Sequence, residues 1–262
     1  MLICPVCRRP LSRQERCWCC EIGHSFDLAK EGYVNLLRTN KAGDKMGDDK
    51  LSARCRRDFL NKGYYAPLKN ALQEIFRDKQ GSVLDICCGE GYYTSSLAEN
   101  PNLQVYGFDL AKEMIRLGAK RGGATYFVAN LADIPVANAS FDYAIHLFAP
   151  FQEAEFLRIL KPGGKLYTVI PGSKHLWGLK QTLYDTPYLN DEQLPQTMEL
   201  VLKSIRKVCD SITLVSPGDI DAVFRMTPYY FHTSLKDKEK LTGLSQLDTP
   251  IEFMIVEYEK QV

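Results

Sequence analysis

No apolar run in this chain of 262 residues approaches the roughly eighteen residues of a membrane-spanning helix, which speaks against a bilayer as its solvent. The opening Met1-Leu2-Ile3-Cys4 has no basic segment ahead of a signal-like apolar core, so a cytoplasmic protein is expected. Internal repeats and low-complexity tracts are absent as well. The nine cysteines are an odd number in a chain with no secretion signal, which disfavours a disulfide framework and points to metal ligation or reduced thiols. The formal charge of +1 lends no overall acidic or basic character, yet it hides an asymmetry. Residues 1–62 hold 13 Lys and Arg against 8 Asp and Glu, and the remainder holds 20 against 24. With 45% hydrophobic residues, a chain of this length suits one large domain plus a small module.

The run Val83-Leu84-Asp85-Ile86-Cys87-Cys88-Gly89-Glu90-Gly91-Tyr92-Tyr93-Thr94 reads as a strand, a glycine turn and a helix start. Gly89 and Gly91 supply clearance for a cofactor lying against the backbone between strand and helix. Eighteen positions after Gly91, Asp109 closes a second apolar stretch, where an acid is placed to accept both hydroxyls of a ribose. A dinucleotide loop would carry a third glycine where Thr94 stands and would lay a pyrophosphate on the helix N-terminus. The acid just before the turn, Asp85, suits instead a ligand with a cationic amino group and no phosphate, as at the amino-acid end of S-adenosylmethionine.

Residues 126–135, 140–148 and 157–166 each read as a short apolar strand bounded by turn residues. Strand ends at about twenty-residue spacing, with helical patterns between them, are what a parallel sheet with crossover helices requires. The series resembles the class I S-adenosylmethionine-dependent methyltransferases, an α/β, Rossmann-like fold on a mostly parallel seven-stranded sheet. That resemblance puts Asn130 near the adenine amino group, with Leu131 beside it, and makes Lys161-Pro162-Gly163-Gly164 the turn into the fifth strand.

Cys4, Cys7, Cys17, Cys19 and Cys20 crowd the first twenty residues, with His24 close behind. Cys4-Pro5-Val6-Cys7 is a knuckle, and a second ligand pair further on can complete a tetrahedron around zinc. Cys17 with Cys20 would give a four-cysteine site, and Cys20 with His24 would give three cysteines and a histidine; spacing slightly favours the first. A segment of about thirty residues cannot build a core of its own, so a structural zinc would supply its folding energy. Arg8, Arg9, Arg13 and Arg16 fall between the knuckles, where a rigid loop can present guanidinium groups to phosphates, and Trp18 offers a stacking face.

Residues 39–49 are polar and aperiodic, as in a flexible linker or a loop that orders on substrate. From Lys50 to Arg77 the apolar positions fit two helices. Between them Gly63-Tyr64-Tyr65-Ala66-Pro67 places an aromatic pair to cover the bound methionine moiety.

Phe26-Asp27-Leu28-Ala29-Lys30-Glu31-Gly32-Tyr33-Val34-Asn35-Leu36-Leu37 after the knuckle, then Gly63-Tyr64-Tyr65, the Cys88–Thr94 loop and Met226-Thr227-Pro228, are similar along essentially the whole chain to the RlmA family. These are bacterial 23S ribosomal RNA guanine-N1 methyltransferases, some of whose products contribute to macrolide resistance. The resemblance implies S-adenosyl-L-methionine and Zn2+ as cofactors, a guanine in a domain II hairpin of 23S ribosomal RNA as target, and a homodimer as a plausible RNA cleft. It puts the zinc on Cys4, Cys7, Cys20 and His24, leaving Cys17 and Cys19 as extras of this chain. Cofactor contacts fall on Tyr65, Gly89, Glu90 and His175, while Cys87 stands where the general pattern has glycine. The organisation expected is a zinc-binding, RNA-recognising module over 1–36, a linker and connecting helix over 37–62, and the methyltransferase domain over 63–262.

The chemistry implied is displacement of the sulfonium methyl group by guanine N1, which carries a proton at neutral pH. The enzyme must remove that proton or hold the base as its anion-like form, with an extruded nucleotide about 3 Å from the methyl group. The loop His146-Leu147-Phe148-Ala149-Pro150-Phe151 offers Phe148 and Phe151 to stack on the guanine. Glu153 and Glu155, the nearest carboxylates, more naturally begin a helix. Beyond the fifth strand, residues 176–205 read as helical with a break at 185–191, and 211–215 and 250–258 read as antiparallel strands at the sheet edge. Two rival classes are a small-molecule methyltransferase and a non-catalytic RNA-binding scaffold. The basic module argues against the first, and intact Asp85, Gly89, Gly91 and Asp109 argue against the second.

Overall fold

Alternating apolar residues organise the chain around one large sheet. The computed structural model describes residues 1–38 and 50–261; the linker expected at 39–49 lies outside the described residues. Strands β1 (Ser12–Arg13), β2 (Cys17–Cys19) and β3 (Ser25–Asp27) form a small antiparallel sheet, followed by β4 (Val34–Asn35). Helices α1 (Lys50–Asn61) and α2 (Ala66–Phe76) lead into β5 (Gly81–Ile86), α3 (Tyr92–Leu97), β6 (Leu103–Asp109), α4 (Lys112–Arg121) and β7 (Thr125–Val128). Next come β8 (Phe141–Leu147), α5 (Glu153–Ile159), β9 (Leu160–Pro171) and α6 (Trp177–Leu183). The C-terminal part is β10 (Leu200–Leu214), α7 (Pro217–Arg225), a 3-10 turn (Pro228–Phe231), α8 (Leu235–Glu239) and β11 (Leu247–Lys260).

The large sheet has the order β10-β11-β9-β8-β5-β6-β7-β4. β5 to β9 and β4 pair in parallel, and β11 joins β9 antiparallel with β10 outside it. The progression of strand order therefore reverses between the parallel neighbours β5 and β8, whose carboxyl ends border the crevice where an open α/β sheet binds its ligand. Seven of the strands are those of the expected fold. The eighth, β4, comes from the N-terminal part and extends the sheet beyond β7.

Side chains alternate between the two faces, as the period of a strand dictates. Val83, Ile145, Tyr167, Val169, Phe253 and Ile255 look toward Phe59, Leu68, Leu72, Phe76, Leu179 and Phe224 of the helices on one side. Leu84, Ile86, Phe108, Ala144, Leu166 and Val256 pack on the other side with Phe156 and Ile159 of α5 and with Leu2, Leu11, Val34 and Leu36 of the N-terminal segment. That segment is thus a layer over the sheet, sharing its core.

Residues 176–205 depart from the helical reading. Helix α6 stops at Leu183, and Leu200 begins an edge strand whose register with β11 runs from Leu200 opposite Lys260 to Leu214 opposite Leu247. Residues 201–207 are exposed on both faces, so no hydrophobic period marks them, and pairing along β11 decides their conformation.

Candidate cofactor and metal sites

Two tight turns set the N-terminal cluster. Arg8 N–H bonds to Cys4 C=O at 2.8 Å and Gly23 N–H to Cys20 C=O at 3.0 Å, with Arg8 and Gly23 in the left-handed region at φ 62° and 92°. The turns bring the ligand atoms of Cys4, Cys7, Cys20 and His24 within 4.8 Å of one another. Cys7 Sγ and Cys20 Sγ are 3.7 Å apart, and His24 Nδ1 lies 3.5 Å from Cys4 Sγ and 3.4 Å from Cys20 Sγ. A tetrahedral zinc separates two thiolates by about 3.8 Å and a thiolate from an imidazole nitrogen by about 3.5 Å. The donor set and its spacing fit Zn2+. Cys17 and Cys19 stand apart from it on β2, with their sulfurs 3.3 Å from each other, so the arrangement brought together is the three-cysteine, one-histidine one.

The zinc cluster is fastened to the chain after β7. Ile3 N–H donates to Pro135 C=O at 2.9 Å, Ala137 N–H to Met1 C=O at 2.8 Å, and the Arg8 guanidinium to Asp133 Oδ1 at 2.8 Å. Arg9 pairs with Glu21, while Arg13 and Arg16 are exposed. Trp18 lies opposite Arg13 and Phe26 and is half-buried against the core.

At the carboxyl end of β5 the chain turns sharply, with Cys87, Gly89 and Gly91 at φ 55°, 55° and 72°. A Cβ on Gly91 would stand 2.5 Å from Tyr126 Oη, whereas the Cβ position of Gly89 faces open space. Asp109, ending β6, accepts from the N–H groups of Gly89 at 3.0 Å and Ala111 at 2.8 Å, which holds its carboxylate beside the loop. Asp85 is buried, receives the Thr94 hydroxyl at 2.5 Å and is pushed by burial up to about 7. Among the described residues the Tyr93 hydroxyl is buried without a hydrogen-bond partner. A cradle left open at a glycine, an oriented acid at a ribose position and a buried acid at the turn fit S-adenosylmethionine.

Glu90, expected as a cofactor contact, is anchored to α4. It is buried, and its Oε1 takes a 2.7 Å bond from Arg121, which also donates to the Glu90 carbonyl at 3.1 Å; burial raises the carboxyl above its usual range against the pull of Arg121. The other carboxyl oxygen of Glu90, Oε2, is buried with no hydrogen-bond partner among the described residues. Asn130 and Leu131 follow β7, where the Asn130 side chain accepts from Ala132 N–H at 3.0 Å.

Tyr65, at the N-cap of α2, meets His175 beyond β9, with Tyr65 Oη 3.0 Å from His175 Nε2. Phe253 of β11 packs against both, with ring centroids at 4.9 and 4.7 Å, and reaches Phe148 at 5.9 Å. No sequence signal pointed to Phe253, one apolar residue in an alternating strand. Tyr64 and Lys62 hold this corner by bonding to buried Asp219 of α7 at 3.1 and 2.5 Å.

Phe148 directly follows β8 at φ 55° and is 50% exposed, an uncommon backbone state for a bulky residue. Buried His146 supports the loop. Its Nε2 donates to Pro150 C=O at 3.1 Å, so Nδ1 accepts from the Thr168 hydroxyl at 2.9 Å, and burial keeps the ring neutral, down to about 4. Phe151 is held edge-on by His146 and Phe156, half-buried, while Phe148 stands outward. Both nearby carboxylates are engaged. Glu153 accepts from the N–H groups of Met198 and Glu199, and Glu155 from Arg158 and Ile134 N–H.

Sheet order, glycine turn and flanking acids define a class I methyltransferase carrying an N-terminal zinc ribbon. Residues 83–164 match the methyltransferase domain family, and residues 2–43 match the zinc ribbon family described as RlmA, N-terminal. The chain is 36% identical over 192 residues to the 23S rRNA (guanine(748)-N(1))-methyltransferase of Streptomyces fradiae, covering 70% of this chain and 67% of that protein. It is 34% identical over 201 residues to YxjB of Bacillus subtilis, covering 71% and 70%, a protein named for the same 23S rRNA guanine-N1 reaction. A solved protein of echinomycin biosynthesis shares the fold at a TM-score of 0.50, with 18% identity over 74% of this chain and 81% of that one. The chain belongs to the RlmA family of 23S rRNA (guanine-N1)-methyltransferases. Among the described residues no helix is long and apolar enough to cross a membrane.

Proposed function

We propose that this protein transfers the methyl group of S-adenosylmethionine to N1 of a guanine in 23S ribosomal RNA, in a domain II hairpin. The observation that carries the reading is the union of a zinc ribbon with the methyltransferase crevice through one shared core. Similarity to a small-molecule enzyme covers less of the chain: the demethylmenaquinone methyltransferase of a Geobacillus strain is 29% identical over 131 residues, 44% of this chain.

The bound cofactor supplies an electrophilic methyl group, and the protein's residues position its two ends. In this reading Asp109 takes the ribose hydroxyls, Asp85 faces the amino-acid end from beneath the turn, Gly89, Gly91 and the Glu90 backbone border the cofactor, and Asn130 with Leu131 borders the adenine. Tyr65 and His175 close the methionine end. Phe148 stacks on the extruded guanine, and Phe151 braces the loop that presents it. With Glu153 and Glu155 both engaged, holding N1 in line with the methyl group supplies the larger share of the acceleration. The N1 proton leaves to solvent as the carbon–nitrogen bond forms. Residues 1–36 act as the RNA-recognising module with zinc on Cys4, Cys7, Cys20 and His24, residues 37–62 connect it, and residues 63–262 carry the chemistry. A cytoplasmic protein acting as a homodimer accords with a ribosomal substrate.

The test is to incubate the purified protein with radiolabelled S-adenosylmethionine and unmodified 23S ribosomal RNA and to map the product by primer-extension stop. A single stop at a domain II hairpin guanine is expected. Tight cofactor binding with no transfer to RNA would favour a small-molecule acceptor.

A further inference from the structure

From the 3-10 turn after α7 to the start of α8 the chain exposes two large apolar side chains four residues apart, Phe231 at 71% and Leu235 at 79%. The neighbouring Tyr230 is already occupied on both sides. The Arg225 guanidinium lies 5.0 Å over its ring and donates to its hydroxyl at 2.8 Å, and the Lys238 ammonium lies 4.2 Å over the ring. Phe231 stands nearly perpendicular to Tyr230 at 5.3 Å and 83°, which leaves its own ring to solvent. Residues 225–240 carry Arg225, Lys236, Lys238 and Lys240 against Asp237 and Glu239.

The segment is tied to the cofactor corner. Thr233 Oγ1 lies 2.8 Å from the Tyr184 hydroxyl, and the ring of Tyr229 is 5.5 Å from the buried Lys180 ammonium. Lys180 donates to Asn190 Oδ1 at 2.6 Å, and Asn190 donates to His175 C=O at 3.0 Å. A chain of contacts therefore runs from Tyr229, two residues before Phe231, to the His175–Tyr65 pair.

We propose that Phe231 and its surrounding cations form a stacking platform for an unpaired base of the RNA substrate, beside the nucleotide presented to Phe148. The inference rests on the reading of this chain as an RNA methyltransferase and adds a second contact surface to it. A protein partner would favour an apolar patch depleted of charge at its centre, whereas an exposed ring beside Tyr230, which carries the Lys238 ammonium and the Asp221-paired Arg225 over its own ring, on a segment that also bears Lys236, matches single-stranded nucleic acid, where bases stack and phosphates meet cations.

Two readouts on the full chain test it: fluorescence anisotropy with a labelled ten-nucleotide single-stranded RNA, and methyl transfer to unmodified 23S ribosomal RNA. Phe231→Ala is expected to weaken RNA binding and raise KM for RNA by about tenfold, leaving kcat and cofactor affinity in place, and Phe231→Trp to restore both. Lys236→Ala with Lys238→Ala is expected to reduce the slope of log affinity against log salt by about 1.4. Unchanged decamer affinity and KM in Phe231→Ala overturn the platform. So does a shift from dimer to monomer with RNA affinity intact, which would make the face a subunit contact. Wild-type protein that binds the decamer yet methylates no ribosomal RNA overturns the functional reading instead, and a loss of decamer binding at Phe231→Ala would still support the platform.

Discussion

His175 donates its Nε2 proton to the Tyr65 hydroxyl oxygen across 3.0 Å, because its Nδ1 is already the acceptor of the Glu252 N–H at 3.2 Å. Burial holds the imidazole neutral, down to about 3, so this direction persists at any working pH. The hydrogen of the Tyr65 hydroxyl is thereby turned away from His175, available to an anionic group such as a carboxylate. Tyr65→Phe keeps the ring packed on Phe59 and Phe253, removes that donor and leaves the His175 Nε2 proton without its acceptor. Titration calorimetry is expected to show about tenfold weaker binding of S-adenosylmethionine, and the unpaired imidazole N–H to cost about 1–3 kcal/mol of stability. An unchanged Kd would remove Tyr65 from the contact set.

Asp85 gives a pH signature. Its carboxyl is held up to about 7, above the ordinary value of about 3.9, so the folded chain keeps a proton that the unfolded chain releases. In the cofactor-free protein this contributes stability that is complete below about pH 4 and is lost as the pH rises through about 7. An ammonium brought beside the carboxyl favours its ionised form. Cofactor binding below about pH 7 is then expected to release a proton and to tighten as the pH rises, by up to about tenfold per unit. Calorimetry in two buffers of different ionisation heat measures the release, and Asp85→Asn should abolish it. Proton release that survives in Asp85→Asn rules the assignment out.

For the metal, one zinc per chain is expected, lost in Cys20→Ser and retained in Cys17→Ser and in Cys19→Ser. Elemental analysis of the purified variants decides between the ligand sets. Zinc retained in Cys20→Ser but lost in Cys17→Ser would reverse the assignment. Chelation is expected to lower the melting temperature of the whole protein, since Cys4 and Cys20 belong to the same apolar cluster as Leu84 and Phe108.

Phe148 should separate stability from activity. Its left-handed backbone costs about 1–2 kcal/mol, which Phe148→Gly relieves while deleting the stacking ring. Phe148→Gly and Phe148→Ala are both expected to fold and to lose about tenfold or more in methyl transfer. Turnover equal to wild type would take Phe148 out of the acceptor site.

Cys87 occupies another left-handed turn position, at φ 55°. Cys87→Gly is expected to raise unfolding free energy by about 1 kcal/mol, read from denaturant midpoints, with cofactor affinity unaltered. A destabilised variant would mean that the thiol's packing outweighs the backbone term.

The strand, turn and acid order was legible because each signal is local: Asp85, Gly89, Gly91 and Asp109 all sit within one βαβ unit. The four zinc ligands were legible as a set through resemblance, although spacing alone leaned toward Cys17 over His24. What joins distant segments was not legible. Phe253 stacks between Tyr65 and His175, Asn190 ties Lys180 to His175, and Arg121 claims Glu90, each through tertiary contact that no periodicity records. The same holds for β10, whose strand conformation comes from its partner β11, and for β4, two residues that give no pattern of their own.

The strand β4 and the bridge from Leu2 to Val136 grip residues 125–137 from both flanks. The ribbon is therefore a fixed jaw. In the proposed RNA reading the ribbon and Phe148 share one sheet and its core, so the pair would act as a gauge for the folded shape of the RNA. A truncation at residue 36 would remove the gauge and uncover the apolar face beneath it, so the catalytic half is expected to be poorly soluble alone.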